Sequence, residues 1–131
     1  MVTDRLHDGV RIGQLLASEI TGNEGRLRPL SLVDADPDVE PTADGALAYA
    51  IEIGGGEGTD TDLVAEAYVQ PDRLRLEFIS TPDAVADVAT EAGLRVRPKA
   101  VHPPRTLVFV EDGAQVKRAL STFEAVIDSR K

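Results

Sequence analysis

The chain has no cysteine and no tryptophan. The first absence excludes disulfides, thiolate nucleophiles and cysteine-ligated zinc. Aromatic residues make up 4% of the 131 positions, and lysine is down to three residues beside eleven arginines. No apolar run approaches the roughly 18 residues of a membrane span. Asp4 and Asp8 come early and no apolar stretch accompanies them, so the start does not read as a signal peptide. What is present is a 42% hydrophobic fraction that draws 16 residues from alanine and 14 from valine. A chain of this length reads as one domain, 1–131, with a core of small side chains.

Acids outnumber bases 23 to 14, for a net charge of -9. In molar salt the Debye length shrinks to about 3 Å, so that self-repulsion is screened; in dilute buffer it opposes compaction. The acid-rich, lysine-poor composition therefore points to a salt-adapted cytoplasm. A GC-rich genome is the competing explanation, because its codons favour Ala, Gly, Arg, Asp and Val together. A generalised affinity for nucleic acid is disfavoured, since a phosphate backbone repels the chain as a whole.

Helical spacing of Leu6, Val10, Gly13, Ala17 and Ile20 predicts a helix over 4–21, capped by Thr3 or Asp4 and ended by Gly22. Leu15 falls opposite that stripe. Residues 27–33 read as a strand that Pro29 moves to a sheet edge. A loop follows with Asp34, Asp36, Asp38, Glu40 and Asp44 interrupted by Pro37 and Pro41. Alternation predicts a strand over 46–53, with Leu47, Tyr49, Ile51 and Ile53 on the inner side. After the glycine-rich segment 54–62, strands over 63–70 and 73–79 meet at the Pro71-Asp72 turn, completing an antiparallel meander. Thr81-Pro82-Asp83 opens a second helix with a hydroxyl at N-cap and proline at N1, and Gly93 ends it. A short strand over 94–97, a proline loop over 98–104 and a strand over 106–111 precede the last helix. The apolar run Leu107 to Val110 predicts a central strand covered on both faces. Val116, Ala119, Leu120, Phe123 and Ile127 line one face of that helix.

The resulting order, α-β-β-β-β-α-β-β-α, predicts an α+β fold: a mainly antiparallel sheet of five to six strands with three helices. It is similar to the order of secretion-chaperone-like folds, with one strand more.

Three constellations bear on function. The acids from Asp34 onward match the first half of a calcium-binding loop, but its sixth position is Val39 rather than Gly and its twelfth is Gly45 rather than Glu. No metal site is expected there. Gly54-Gly55-Gly56-Glu57-Gly58-Thr59 is followed by no Lys-Ser or Lys-Thr and opens a strand, so it reads as a hairpin loop and not a phosphate cradle.

The third is basic. Residues 92–110 carry +4 with no acid, which leaves -13 on the rest of the chain. Alternation turns Arg73, Arg75, Arg95 and Arg97 to one sheet face. With Lys99, His102 and Arg105 they form the candidate anion- or partner-binding set. Arginine suits phosphates and carboxylates because its planar fork binds them bidentately. The competing reading is structural: Glu52, Glu66 and Glu77 also point outward, one per strand, and can pair with these arginines.

Catalysis has little to stand on. His7 falls on the polar side of the first helix, His102 lies among prolines, and Ser18, Ser31, Ser80, Ser121 and Ser129 form no nucleophile elbow. The segment Arg97-Pro-Lys99-Ala-Val-His102-Pro-Pro-Arg105 onward to Gly113, with the acidic composition, resembles small uncharacterised proteins of salt-loving archaea. That resemblance implies no activity. The sequence thus reads as a non-enzymatic binding or adaptor module without cofactor. A protein partner or self-association into a homodimer is favoured over nucleic acid, with no role for a membrane. A nucleic-acid- or phosphate-binding module using the strip 95–105 is the alternative.

Overall fold

The computed structural model describes residues 8–22, 25, 27–54 and 61–129. Helix α1 (Gly9–Gly22) is followed by strands β1 (Leu30–Val33), β2 (Ala46–Gly54), β3 (Thr61–Val69) and β4 (Leu74–Phe78). Then come helix α2 (Pro82–Glu91), strands β5 (Arg95–Lys99) and β6 (Arg105–Val110), and helix α3 (Gly113–Ser129). This is the expected order. All six strands join one antiparallel sheet in the order β1-β2-β3-β4-β6-β5.

Helix α1 begins at Gly9, later than the spacing predicted, because Asp8 caps it: its Oδ1 accepts from the backbone N–H groups of Val10 and Arg11. The expected caps Thr3 and Asp4, together with Leu6 and His7, lie outside the described residues. Gly9 is required where it stands. A Cβ there would meet the carbonyl oxygen of Gln70 at 1.9 Å and that of Arg73 at 2.7 Å. The helix start therefore presses directly on the β3–β4 turn, where its N–H donates to the Pro71 carbonyl. Ile12 and Leu16, rather than Ala17, complete the buried stripe, and Leu15 is half-buried against the core.

Several elements differ locally from the sequence expectation. Residues 27–29 form a turn, so β1 is only four residues long, although it does take the edge. A bulge between Leu47 and Tyr49 shifts the register of β2. It turns Ala48 inward and leaves Leu47 outside at 40% exposure, so Leu47 does not belong to the core. Strand β5 runs on to Lys99, which puts Pro98 inside an edge strand and shortens the proline loop. Thr81 precedes α2 in the left-handed region, with φ 43°, and its hydroxyl does not cap the helix. The other end follows expectation: Gly93, at φ 81°, donates to Thr90 and Leu94 donates to Ala89, the paired bonds of a Schellman end. Asp112 and Gln115 cap α3 reciprocally, through Gln115 N–H to Asp112 and Glu111 N–H to the Gln115 amide oxygen.

The core lies between one sheet face and the three helices. Ile51, Leu74, Leu76, Phe78 and Val108 face Ile12, Leu16, Val85, Val116 and Phe123, all fully buried or nearly so. Phe78 and Phe123 meet at 5.0 Å between ring centres, tilted by 50°. Tyr49 reaches across to donate to the Gly13 carbonyl at 2.8 Å, fastening α1 to β2. Burial raises the Tyr49 pKa, which keeps the phenol neutral.

A candidate docking face on the helix-free side of the sheet

The second sheet face carries no helix. Its outward positions follow from the strand registers: Glu52 on β2, Glu66 and Tyr68 on β3, Arg75 and Glu77 on β4, then Leu107 and Phe109 on β6, opposite Arg97 and Arg95 on β5. The charges are segregated across the sheet. The β4–β6–β5 half presents five cations, Arg75, Arg95, Arg97, Lys99 and Arg105, around Glu77. The opposite half presents Glu52 and Glu66.

Glu77 organises the basic half. Only 1% of the residue is exposed, although it points away from the helices. Its Oε1 accepts from Lys99 at 3.1 Å and from Arg105 at 3.0 Å, and its Oε2 from Arg75 at 3.0 Å. Burial by itself would raise the Glu77 pKa. The hydrogen bonds from Lys99 and Arg105, with the charges of Lys99 and Arg75, outweigh burial and bring it below its ordinary value. Arg105 also donates to Glu66 at 2.7 Å, and chiefly for that reason its pKa is raised. Tyr68 donates to the same Glu66 oxygen; burial first, then that bond, raises the phenol pKa.

Arginine planes do the work of the missing helices. Arg73 lies 4.2 Å over the Phe109 ring and Arg75 lies 4.8 Å over the Tyr68 ring. Phe109 is thereby reduced to 5% exposure on a face open to solvent. Of the apolar run 107–110, Val108 and Val110 pack in the core beneath the helices and Phe109 lies under Arg73, while Leu107 is half-buried on the outer face. Arg73 and Arg95 both pair with Glu111, at 3.5 Å and 3.3 Å. With Gln70 and Asp72, Arg73 and Glu111 border an open depression at the sheet rim.

Of the seven residues singled out in the sequence, the fold gathers Arg75, Lys99 and Arg105 on one carboxylate and Arg73 and Arg95 on another. Arg97 and His102 are exposed and make no hydrogen bond or ion pair among the described residues. The anticipated partners Glu66 and Glu77 pair with arginine, whereas Glu52 accepts from Thr61. Sequence reasoning missed the burial of Glu77 and the exposed apolar component, Leu47 and Leu63. A signal for the first existed: Glu77 sits between Leu76 and Phe78 on a strand that also carries Arg75, and the acid-free basic stretch 92–110 follows it in the chain.

Among the described residues no three acidic or histidine side chains converge as a metal site, and no helix is long and apolar enough to cross a membrane. The loop 34–44 is tied down by the Asp36 N–H to Ala48 and by Asp38 N–H to the Asp36 carboxylate. The glycine-rich segment 55–60 lies outside the described residues.

The match to known families covers residues 1–131. The chain belongs to DUF7993, a family of unknown function. No curated protein matches it, and no solved structure does. For this DUF7993 protein the helix-free face is therefore interpreted on its own chemistry.

Proposed function

We propose that this protein is a non-enzymatic binding module of a salt-adapted cytoplasm, and that it engages a protein partner through the helix-free face of its sheet. One observation carries this reading. The three helices all serve one side, while the other side combines exposed Leu47 and Leu63, at 40% and 36%, with the cations gathered at Glu77 and with Arg97, whose side chain pairs with none of the described residues. Exposed apolar side chains beside a cluster of arginines are the composition of protein interfaces. The net charge of -9 and the ratio of eleven arginines to three lysines support the salt-adapted setting.

Nucleic acid fits this face less well. Base stacking needs an accessible ring, and Arg73 and Arg75 cover Phe109 and Tyr68. The test is an amide NMR titration of dilute protein with hexaglutamate, and separately with an oligothymidylate. Saturable shifts at Arg97, Leu107 and Phe109 with hexaglutamate, lost in Arg95→Gln/Arg97→Gln at unchanged melting temperature, are the expected result. No shifts, shifts confined to the helical side, or tighter binding of the oligothymidylate would overturn the reading.

A further inference from the structure

Resting on that reading of the face, we propose that its occupant is a second copy of this chain. The two sheets stack face to face about a two-fold axis that runs parallel to the strands between β3 and β4. The product is a four-layer dimer, with helices outside and two sheets inside.

The sheet edges argue for stacking over edge-to-edge pairing. Pro98 lies within the edge strand β5, and the other edge strand, β1, has four residues and follows Pro29. Both features blunt an edge. Of the sheet's own surfaces, that leaves the helix-free face for self-association.

The charge distribution then selects the axis. A two-fold axis across the strands would set β5 on β5 and bring like cations together. An axis along the strands reverses the strand order and keeps the rows aligned, so β6 of one copy lies over β2 of the other. The basic half of each copy then meets the acidic half of its partner, twice. Strands that stay nearly aligned are also the common geometry for stacked sheets.

The registers make the pairing specific. Ala50, Glu66, Glu77, Leu107 and Arg97 share one row across the sheet. In the row on one side of it, Glu52 falls opposite the partner's Arg105 and beside the partner's Lys99. In the middle row Ala50 meets the partner's Leu107. In the row beyond, Leu47 falls opposite the partner's Phe109 and Tyr68 opposite the partner's Arg75. The like-charged opposition, Glu66 over the partner's Glu77, occurs twice by symmetry, and each is bracketed by Arg105, Arg75 and Lys99. Six strands about 4.8 Å apart and about 20 Å long offer a footprint of about 500 Å² per copy, or about 1,000 Å² for both, the area that a weak, reversible biological interface must clear. Ion pairs closed inside such an interface are screened by salt much less than exposed ones.

Sedimentation equilibrium across protein concentration, in about 0.1 M salt, tests this. The wild type should approach twice its 14.0 kDa mass. Leu47→Asp and Glu52→Lys should each weaken the dimer about tenfold or more, whereas Lys117→Glu on the exposed side of α3 should not. Leu47 is solvent-exposed and Glu52 half-exposed, and a native far-UV spectrum with cooperative melting confirms that the variants fold. Hexaglutamate should dissociate the dimer by competing for the same face. A single 14.0 kDa species at every concentration overturns the second copy; if hexaglutamate still shifts the face, the docking surface itself stands. A dimer that withstands both face variants, or one that Lys117→Glu dissociates, places the contact elsewhere and overturns the proposal as well.

Discussion

Glu66 and Glu77 stand directly opposite each other on β3 and β4, and one guanidinium nitrogen of Arg105 binds both, at 2.7 Å and 3.0 Å. Like charges facing across strands repel. Here the repulsion is converted into a clamp, because Arg105 comes from β6, on the far side of β4. The pair therefore ties three strands together, and Lys99 extends the tie to β5.

Removing the Glu77 carboxylate takes an acceptor from three cations, of which Arg105 keeps Glu66 and Arg75 keeps the Asp44 carbonyl. Breaking a fully buried pair costs about 3–5 kcal/mol. Lys99 and Arg105 keep partial solvent access, at 41% and 25%, which brings the expected loss for Glu77→Ala down to about 2–3 kcal/mol. Urea unfolding at neutral pH measures it. A loss below about 0.5 kcal/mol, the surface range, would mean that the network contributes nothing.

The same group sets an acid limit on stability. Its folded-state pKa lies below the ordinary 4.5. The stabilisation is complete above that value and is lost as pH falls through the lower folded value. Wild-type stability should thus fall from about pH 4.5 downward, more steeply than that of Glu77→Gln, which has no proton to take up. Parallel pH profiles for the two proteins would contradict an ionised, clamped Glu77.

Phe123 is fully buried and packs on Phe78. Phe123→Ala should cost about 3–5 kcal/mol in a denaturant titration. A value below about 1 kcal/mol would remove α3 from its assigned place on the sheet.

Gly9→Ala tests the contact between α1 and the β3–β4 turn. Alanine is normally the better helix former. At this position its Cβ would lie 1.9 Å from a backbone oxygen, which no rotamer relieves. The substitution should destabilise by about 1–3 kcal/mol, as overpacking does, and thermal unfolding reads the sign. A stabilised variant would show that the helix start stands clear of the turn.

Salt should stabilise the folded state. Screening a net charge of -9 reduces self-repulsion that is greater in the compact form. The melting temperature should rise from dilute buffer to molar KCl. A flat or falling series would favour genome composition over salt adaptation as the source of the acidity.

The sequence by itself determined the nine elements, their order, the meander of β2 to β4 and the sheet face shared by Arg73, Arg75, Arg95 and Arg97. Those follow from local periodicity and from turn residues such as Pro71, Asp72 and Gly93, whose constraints act within a few positions of the chain. Only the tertiary structure decided what the charges do. Glu77 reads in sequence as an ordinary outward acid. Its burial depends on Arg75 from its own strand, and on Lys99 and Arg105, which lie 22 and 28 residues further along the chain. Leu47 obeys a clean alternation until a bulge, set by pairing with β3, turns it out. Asp8 caps α1 at the point where Gly9 comes against the Gln70 carbonyl, a contact between segments about 60 residues apart. Periodicity sets which way a side chain points, since it is a property of the backbone repeat. Which side chains meet depends on strand register and order, and these are settled only when distant segments pack.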